Sequence, residues 1–364
     1  MSGGSNGSSA GVRVIAAMVA TAAGIYGAFF AWGVLQERIA TKPYTVDGKE
    51  AHFRFPFVIG VVGGLSSFAV ALVVVVVRKL LGWGPEAHDP NAAISVARHY
   101  PYRQIASIGL GLAFGSPFGY AAMRHSSYPM VLTLKMCKMV PIVIVGALWH
   151  RAHYSSYKYL AMVAITGGVL GFSLLGDEGS KKNSASDALG AVLCFINLFF
   201  DGYVNSTQDS VLKKWKDPFR LMCTANLFSA LIGLTALFTF EYLPAALHND
   251  VINNELFHAM HFIAKEPAVL VDLAKMGALG GVGQLFIFQG LSMFGSLTVV
   301  AITITRKVGS VFISILMHGH IVTTEQWIAL SAVIVGVVLD TMDNIRLKKL
   351  SEKREHHKEH HKTK

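Results

Sequence analysis

Four cationic side chains lie in two stretches that otherwise have the composition of membrane-spanning helices. Lys135 and Lys138 occur in TLKMCKMVPIVIVG, and Arg306 and Lys307 occur in TITRKVGSVFISILM. A charged residue at the centre of a bilayer costs about 3 kcal/mol on insertion scales, so such residues persist where they line a wet cavity walled by protein. Four cations in one cavity indicate an anion that visits it. The sequence therefore predicts a transporter of a polyanionic solute.

The types and spacing of these cations suit a diphosphate. Lys135 and Lys138 are three residues apart, so they share one face of a helix. Arg306 and Lys307 are adjacent, about 100° apart around a helix. Arginine binds phosphate through two hydrogen bonds, whereas lysine acts as a point charge. We expect a phosphate clamp; the alternatives are snorkelling to the membrane surface and structural pairing with a buried carboxylate. The carboxylates available for such pairing are Asp201, Asp209 and Glu37.

A second group of polar side chains lies on the same apolar segments. Asp201, Asn205 and Asp209 are spaced four residues apart, which puts a polar stripe on one helix face. The stripe can contact a sugar or base, or it can be a structural network between helices. Gln36 and Glu37 end the first apolar segment. Two roles remain for them: part of a gate, or a structural cap of the helix. The remaining candidates for base, sugar or gating contacts, each with helix packing or helix–helix bonding as the alternative, are Tyr128, Tyr203, Gln208 and Gln284.

The composition indicates a polytopic membrane protein. Of 364 residues, 52% are hydrophobic and only 15% are charged, whereas a soluble domain has about 25% charged residues. The net charge of +10 falls mainly in loops and the C-terminal tail, so we interpret it as an orientation signal and expect no nucleic-acid partner. No enzyme motif is present, and the cysteines at 137, 194 and 223 have no metal or disulfide spacing. We expect no catalytic residue, metal or cofactor.

Ten segments are long and apolar enough to cross a bilayer, since a span needs about 20 residues. They cover residues 12–35, 55–77, 105–123, 129–149, 157–175, 188–212, 221–240, 268–293, 297–318 and 326–341. The predicted organisation is all-α, with two five-helix repeats between flexible and charged tails. Its parts are an N-terminal tail at 1–11, repeats at 12–176 and 188–342, a linker at 177–187 and a C-terminal tail at 343–364.

The predicted topology follows from the distribution of charge and from sequence similarity between the two halves of the chain. An even number of spans puts both termini on one side, and the eight Lys/Arg of the C-terminal tail favour the cytosol. The basic first-to-second connection argues against this orientation. KYLAMVAITGGVLG matches QWIALSAVIVGVVL, with Gly168 facing Gly336, and Lys138 matches Lys307. Repeats of five spans would be inverted, which is a secondary-transporter architecture with the site at the repeat interface.

Four motifs occur in order along the chain. They are WGVLQERI from Trp32, YPMVLTLKMCKMVPIVIVG from Tyr128, FDGYVNSTQD from Phe200, and GQLFIFQGLSMFGSLTVVAITITRK from Gly283. Together they resemble the nucleotide-sugar transporters of the drug/metabolite transporter superfamily, specifically the UDP-galactose transporter homologues of solute carrier family 35, subfamily B. The resemblance covers nearly the whole chain.

This resemblance implies ten helices in two inverted repeats and an antiporter that works by alternating access. It implies exchange of cytosolic UDP-galactose or UDP-glucose for luminal UMP across the membrane of the endoplasmic reticulum, or alternatively the Golgi. Lys135, Lys138, Arg306 and Lys307 would then hold phosphates. The run TRK at 305–307 favours the UDP-hexose branch over the related PAPS transporters. An adenine-nucleotide (ATP/ADP) or PAPS exchanger of the same fold is the alternative, and a non-transporting membrane scaffold is the alternative of another class.

The expected partners are a nucleotide-sugar, a nucleoside monophosphate and membrane lipid. A homodimer is compatible with glycine-rich faces such as residues 60–64. Coat-protein contact through the C-terminal tail is compatible with Lys362, which is one element of a dilysine retrieval signal. The second lysine of such a signal is replaced by His360 and His361.

Overall fold

The structure is a computed structural model. It describes residues 5–46, 48–83, 100–126, 131, 134–148, 154–175, 184–244, 248, 253–295, 298–300, 302–303, 305–306, 323–336, 338–339, 342–343 and 346. The elements in the first half of the chain are, in order, α1 (Ser5–Thr41), β1 (Tyr44–Val46), β2 (Lys49–Ala51), α2 (Pro56–Leu80), α3 (Tyr102–His125), a 3₁₀ helix (Lys135–Lys138), α4 (Met139–Leu148) and α5 (Ser156–Leu175). They are followed by α6 (Ser184–Trp215), α7 (Pro218–Glu241), α8 (Leu256–Lys265) and α9 (Ala268–Phe294), and by the helical residues 324–336, named α10 here.

Six described helices are long and apolar enough to cross a membrane. They are Ala16–Gln36 within α1, Pro56–Leu80, Tyr102–His125, Ala188–Trp215 within α6, Pro218–Glu241 and Ala268–Phe294. These coincide with the first, second, third, sixth, seventh and eighth predicted spans. The chain is therefore a mostly helical polytopic membrane protein. The fourth, fifth and tenth predicted spans contain α4, α5 and α10, and most of the ninth lies outside the described residues.

Prolines and a capping carboxylate mark several helix starts. Pro56 and Pro218 occupy the first turns of α2 and α7, where a missing N–H removes no intrahelical bond. Asp217 caps α7 by accepting a hydrogen bond from the Arg220 N–H at 3.2 Å. In the fourth predicted span the chain is helical at Val131 and Leu134, takes 3₁₀ geometry at Lys135–Lys138 and continues as α4 from Met139. Pro141 has no N–H to offer the preceding turn, which is consistent with the 3₁₀ geometry of Lys135–Lys138.

Glycines let the spans approach closely, as is usual for helices packed in lipid. A Cβ at Gly109 of α3 would lie 2.5 Å from Phe228 of α7, so only glycine fits there. In the predicted association face of residues 60–64, Gly64 lies against Ala230 of α7, with 3.7 Å from its Cβ position to the Ala230 nitrogen. This glycine is therefore used for packing within the chain.

The contact between α5 and α10 is reciprocal. A Cβ at Gly168 would lie 2.5 Å from the Ala329 carbonyl oxygen and 2.8 Å from Val333. A Cβ at Gly336 would lie 3.0 Å from the Ala161 carbonyl oxygen and 2.7 Å from Ile165. Ala161, Ile165 and Gly168 of α5 correspond to Ala329, Val333 and Gly336 of α10. The same number of residues separates the two members of each pair. The two helices thus meet through matching positions.

A small antiparallel hairpin joins α1 to α2, which the all-α prediction did not include. Tyr44 pairs with Ala51 and Val46 with Lys49, and Gly48 takes a φ of 76° in the turn. The rings of Tyr44 and Phe262 lie 5.8 Å apart, centroid to centroid. The hairpin therefore packs on α8. We call the hairpin and α8, joined through the rings of Tyr44 and Phe262, the aromatic cap.

Candidate functional site

The two lysines of the fourth predicted span lie on the 3₁₀ helix that precedes α4. Side chains at positions i and i+3 of a 3₁₀ helix nearly eclipse one another, so Lys135 and Lys138 leave the backbone in the same direction. This short helix packs on α5 and α6. Both lysines therefore lie on a short helix that is in contact with α6.

Lys135 lies against α3 and Asn197. The Asn197 amide nitrogen donates to the Gly115 carbonyl oxygen at 2.9 Å, which orients the side chain. A Cβ added at Gly119 would lie 2.7 Å from the Lys135 Nζ and 2.9 Å from the Asn197 Oδ1. The ammonium and the amide oxygen therefore approach the same point, where the absence of a side chain at Gly119 leaves room for both.

Asn197 is a site candidate that the sequence analysis missed. Its side chain is only 3% exposed, and its Oδ1 has no hydrogen-bond partner among the described residues. A buried amide oxygen without a partner is costly, so the oxygen is available to a ligand. Asn197 lies four residues before Asp201. The polar stripe recognised at Asp201, Asn205 and Asp209 therefore begins one turn earlier, and that spacing was the available signal.

Lys138 is the centre of a charge cluster. It interacts electrostatically with Asp201, which attracts it, and with Arg306, which repels it. A Cβ at Gly202 would lie 2.8 Å from Pro141, so α6 passes directly against the start of α4. We use the term cation cluster for Lys135, Lys138, Arg306, Asp201 and Asn197.

Arg306 is also linked to the first span. Its guanidinium carbon lies 5.7 Å from the centroid of the Phe29 ring, within the range of a cation–π contact. The hydroxyls of Tyr26 and Thr305 are 2.7 Å apart. The first span, the 3₁₀ helix, α6 and the segment around Arg306 therefore converge on the cluster, which joins parts of the chain that are distant in sequence.

Other predicted site residues have partners within the protein. Asp209 forms an ion pair of 2.9 Å with Lys213 on its own helix, and the Asn205 amide donates to the Asp201 carbonyl oxygen at 2.6 Å. The Tyr203 hydroxyl donates to the Ser107 Oγ at 2.8 Å. The Asp209 and Asn205 contacts lie within α6, whereas the Tyr203 contact joins α6 to α3.

Gln284 and the remaining candidates are placed as follows. The Gln284 side-chain oxygen accepts a hydrogen bond from Asn226 at 3.0 Å, which joins α9 to α7. Gln36 and Gln208 are buried. Tyr128, Lys307 and the side chain of Glu37 lie outside the described residues. Among the residues that the structure describes, no group of three or more His, Cys, Asp or Glu could hold a metal ion.

The chain also matches a known protein family. The model of the UAA transporter family matches residues 17–344, nearly the whole chain. The chain belongs to the UAA transporter family. The resemblance predicted from the four motifs is thereby confirmed, and membership makes the protein a transporter rather than an enzyme.

Individual relatives agree with the family match. The chain is 34% identical over 322 residues to UDP-galactose transporter homolog 1 of Schizosaccharomyces pombe, covering 87% of this chain and 91% of that protein. It is 30% identical over 325 residues to the protein of the same name in Yarrowia lipolytica, covering 88% and 85%. A solved structure titled "Crystal structure of protein" matches with a TM-score of 0.54 and 13% identity over 90% of this chain and 99% of that one. That likeness concerns the fold alone.

Proposed function

We propose that the protein is a secondary-active antiporter that exchanges cytosolic UDP-galactose or UDP-glucose for luminal UMP across the membrane of the endoplasmic reticulum or Golgi. The observation that carries this proposal is the cation cluster, in which Lys138 interacts with both Arg306 and Asp201 inside a bundle of apolar helices. The relatives' name, UDP-galactose transporter homolog 1, supports the choice of substrate.

The charges of the cluster suit a diphosphate. Lys135, Lys138 and Arg306 supply three positive charges, and Asp201 supplies one negative charge. The diphosphate of a UDP-hexose carries about two negative charges, and ionised donors bind phosphate oxygens through short, strong hydrogen bonds. A bound diphosphate would therefore neutralise the described part of the cluster. Lys307, which follows Arg306 directly, is proposed as a fourth phosphate ligand.

Obligate exchange follows from the same charges. Like charges held close together in a low-dielectric interior repel one another strongly. An empty carrier has to move these cations through a closed intermediate without a counter-charge, whereas a loaded carrier moves them with the phosphates in place. We therefore propose that the empty protein reorients slowly and the loaded protein reorients quickly, so that nucleotide-sugar entry requires UMP exit.

The two-fold contact between α5 and α10 supports two inverted repeats. Gly168 packs on Ala329 and Val333 just as Gly336 packs on Ala161 and Ile165. A contact that maps onto itself when the halves are exchanged is what a pseudo-two-fold axis produces. In inverted-repeat transporters the site lies at the repeat interface. The cluster draws Lys135 and Lys138 from the first proposed repeat and the remaining members from the second.

We propose that the face where α2 ends and α7 begins is cytosolic, together with both termini. Arg78 and Asp217 form an ion pair of 3.5 Å there. The connection that follows α2 and the connection between α6 and α7, both rich in Lys and Arg, therefore lie next to each other. The Arg220 guanidinium carbon is 4.6 Å from the centroid of the Tyr100 ring on the same face. Basic residues concentrate on the cytosolic side of membrane proteins, which supports this orientation.

Counterflow into proteoliposomes tests the proposed function. Vesicles preloaded with UMP should take up labelled UDP-galactose or UDP-glucose much faster than empty vesicles. Lys138→Ala should abolish uptake, whereas Lys214→Ala, at an exposed lysine near the end of α6, should leave it unchanged. Uptake of ATP or PAPS into ADP- or AMP-loaded vesicles, with none of UDP-hexose, would move the assignment to the adenine-nucleotide alternative. No uptake by folded protein under any loading would favour the scaffold alternative.

A further inference from the structure

The helix α8 is amphipathic in an unusual way, because its surface divides into three stripes. The first stripe faces the protein: Ala259 and Phe262 are buried. The Phe262 ring lies 5.4 Å from the Phe53 ring and 5.8 Å from the Tyr44 ring, centroid to centroid. This stripe attaches α8 to the aromatic cap formed with the hairpin.

The other two stripes are exposed and differ sharply in chemistry. Phe257 is 52% exposed and Met260 is 59% exposed, and a helical wheel at 3.6 residues per turn places them about 60° apart. His258, His261 and Lys265 are exposed on the neighbouring part of the wheel. The ten residues LFHAMHFIAK include no acidic side chain. The exposed apolar side chains Phe257 and Met260 therefore lie beside the basic side chains on the helix surface.

The position of α8 along the chain fixes its depth. Two residues separate its last residue, Lys265, from the first residue of α9, which is long and apolar enough to span the membrane. That joint is ordered by hydrogen bonds from the Glu266 N–H to the Phe262 carbonyl oxygen at 2.9 Å and from the Val269 N–H to the Glu266 carbonyl oxygen at 3.2 Å. The helix is therefore held at a membrane face, where a span enters the bilayer.

We propose that α8 is an interfacial helix that lies on the phospholipid surface. Phe257 and Met260 enter the boundary between headgroups and acyl chains, about 5–10 Å deep, as the apolar side of such helices does. His258, His261 and Lys265 lie at the level of the lipid phosphates, where their basic character matches the anionic oxygens. The partner is thus a lipid surface, and this proposal does not depend on which solute the protein transports.

Lipid attachment of α8 acts on the aromatic cap. Glu255 directly precedes the helix, and its Oε2 accepts a hydrogen bond from the Phe57 N–H at 2.9 Å at the start of α2. Phe262 holds the hairpin through ring contacts. A helix fixed in the interface therefore holds both the start of α2 and the hairpin against the membrane surface.

Spin labels on α8 test the proposal. Labels are attached to Phe257→Cys, Met260→Cys or, as the matched control, His258→Cys, in protein whose native cysteines are replaced by alanine and which is reconstituted in phospholipid vesicles. The collision rates of each label with oxygen, which partitions into lipid, and with a water-soluble nickel chelate are compared. We expect labels at 257 and 260 to meet oxygen more often than nickel, and the label at 258 to show the opposite ratio.

Two results would overturn the proposal. Equal nickel access at 257, 260 and 258 would mean that the apolar stripe faces water. Shielding of 257 and 260 from both reagents would mean that protein, such as a second copy of the chain, covers it. If the cysteine-free protein fails to fold, Phe257→Trp and His258→Trp in the native chain replace it. Brominated lipids should then quench the added fluorescence of the first variant several-fold more than that of the second, and equal quenching would contradict the proposal.

Discussion

The ammonium of Lys135 and the amide oxygen of Asn197 both lie close to the position that a Cβ would take at Gly119. A Cβ at that position would be 2.7 Å from the first atom and 2.9 Å from the second. Gly119 therefore borders the described part of the cation cluster. Because it has no side chain, the Lys135 ammonium can occupy its position.

Gly119→Ala should impair transport without unfolding the protein. The added methyl group meets the side-chain ends of Lys135 and Asn197, at 2.7 Å and 2.9 Å, rather than the backbone of a neighbouring helix, so these side chains shift and the fold persists. We expect the apparent KM for UDP-hexose in counterflow to rise roughly tenfold, equivalent to about 1.4 kcal/mol of binding free energy. The matched control is Gly63→Ala, whose Cβ meets no atom within 4 Å. A normal KM for both variants would show that Lys135 does not bind the solute from this position.

Asp201→Asn should tighten binding and slow exchange. Removing the carboxylate leaves Lys138 with the repulsion of Arg306 and without the attraction of Asp201. An anion then binds the more positive cluster more tightly, while its release becomes slower. We expect a several-fold lower Kd for UDP-galactose, measured by ligand-induced thermal stabilisation, together with a lower maximal counterflow rate. An unchanged Kd would mean that Asp201 does not face the bound anion.

Glu255 should make stability fall as the pH rises. Its carboxyl group is buried against the start of α2, and desolvation by burial raises its pKa to about 7, although the Phe57 N–H and Arg124 oppose this. Between the ordinary value of 4.5 and this value the folded state binds more protons than the unfolded state, so stability is lost as the pH rises through that window. The loss is on the order of 3 kcal/mol, at about 1.36 kcal/mol per unit of pKa difference.

Glu255→Gln tests this pH dependence. Glutamine keeps an oxygen that can accept the Phe57 N–H but does not titrate, so its Tm in detergent should decline less between pH 4.5 and pH 8 than that of the wild type. The difference between the two curves isolates the contribution of this carboxyl group from those of other titrating residues. Parallel curves would show that Glu255 keeps the same proton count in both states.

Hydropathy predicted the spans because transfer from water to lipid depends on local composition. The six long apolar helices could be found from runs of apolar residues alone. The hairpin was missed because its strands are three residues long and carry the exposed Lys49 and Glu50, although the Asp-Gly pair between them is typical of a two-residue hairpin loop. The helix α8 was missed because ten residues are too few for a search aimed at spans.

The lysine pair and the polar stripe were predictable in part. The types and spacing of Lys135 and Lys138 placed them on one face, but the 3₁₀ geometry depends on the turn before Pro141 and has a weak sequence signal. The contact of Gln284 with Asn226 could not be derived, because the two residues are 58 positions apart and only the packing of α7 on α9 brings them together. Asn197 had a signal, its four-residue spacing from Asp201, that was overlooked.

Gly168→Ala should destabilise the protein far more than Gly167→Ala. The new Cβ at 168 would lie 2.5 Å from the backbone carbonyl oxygen of Ala329, which cannot yield without moving α10, whereas a Cβ at 167 meets no atom within 4 Å. Overpacking of this kind costs about 1–3 kcal/mol. The neighbouring control shares the helix and the same change in helix propensity, so a lower Tm for the first variant alone would isolate the contact.

The reciprocal variant extends this test to the proposed pseudo-symmetry. A Cβ at Gly336 would lie 2.7 Å from Ile165 and 3.0 Å from the Ala161 carbonyl oxygen, the counterparts of the atoms that Gly168 meets. Gly336→Ala should therefore lower the Tm about as much as Gly168→Ala. The double variant should lose less than the sum, because one separation of the two helices relieves both clashes. Strictly additive losses would mean that the two glycines act at independent contacts rather than in one interface that the helices share.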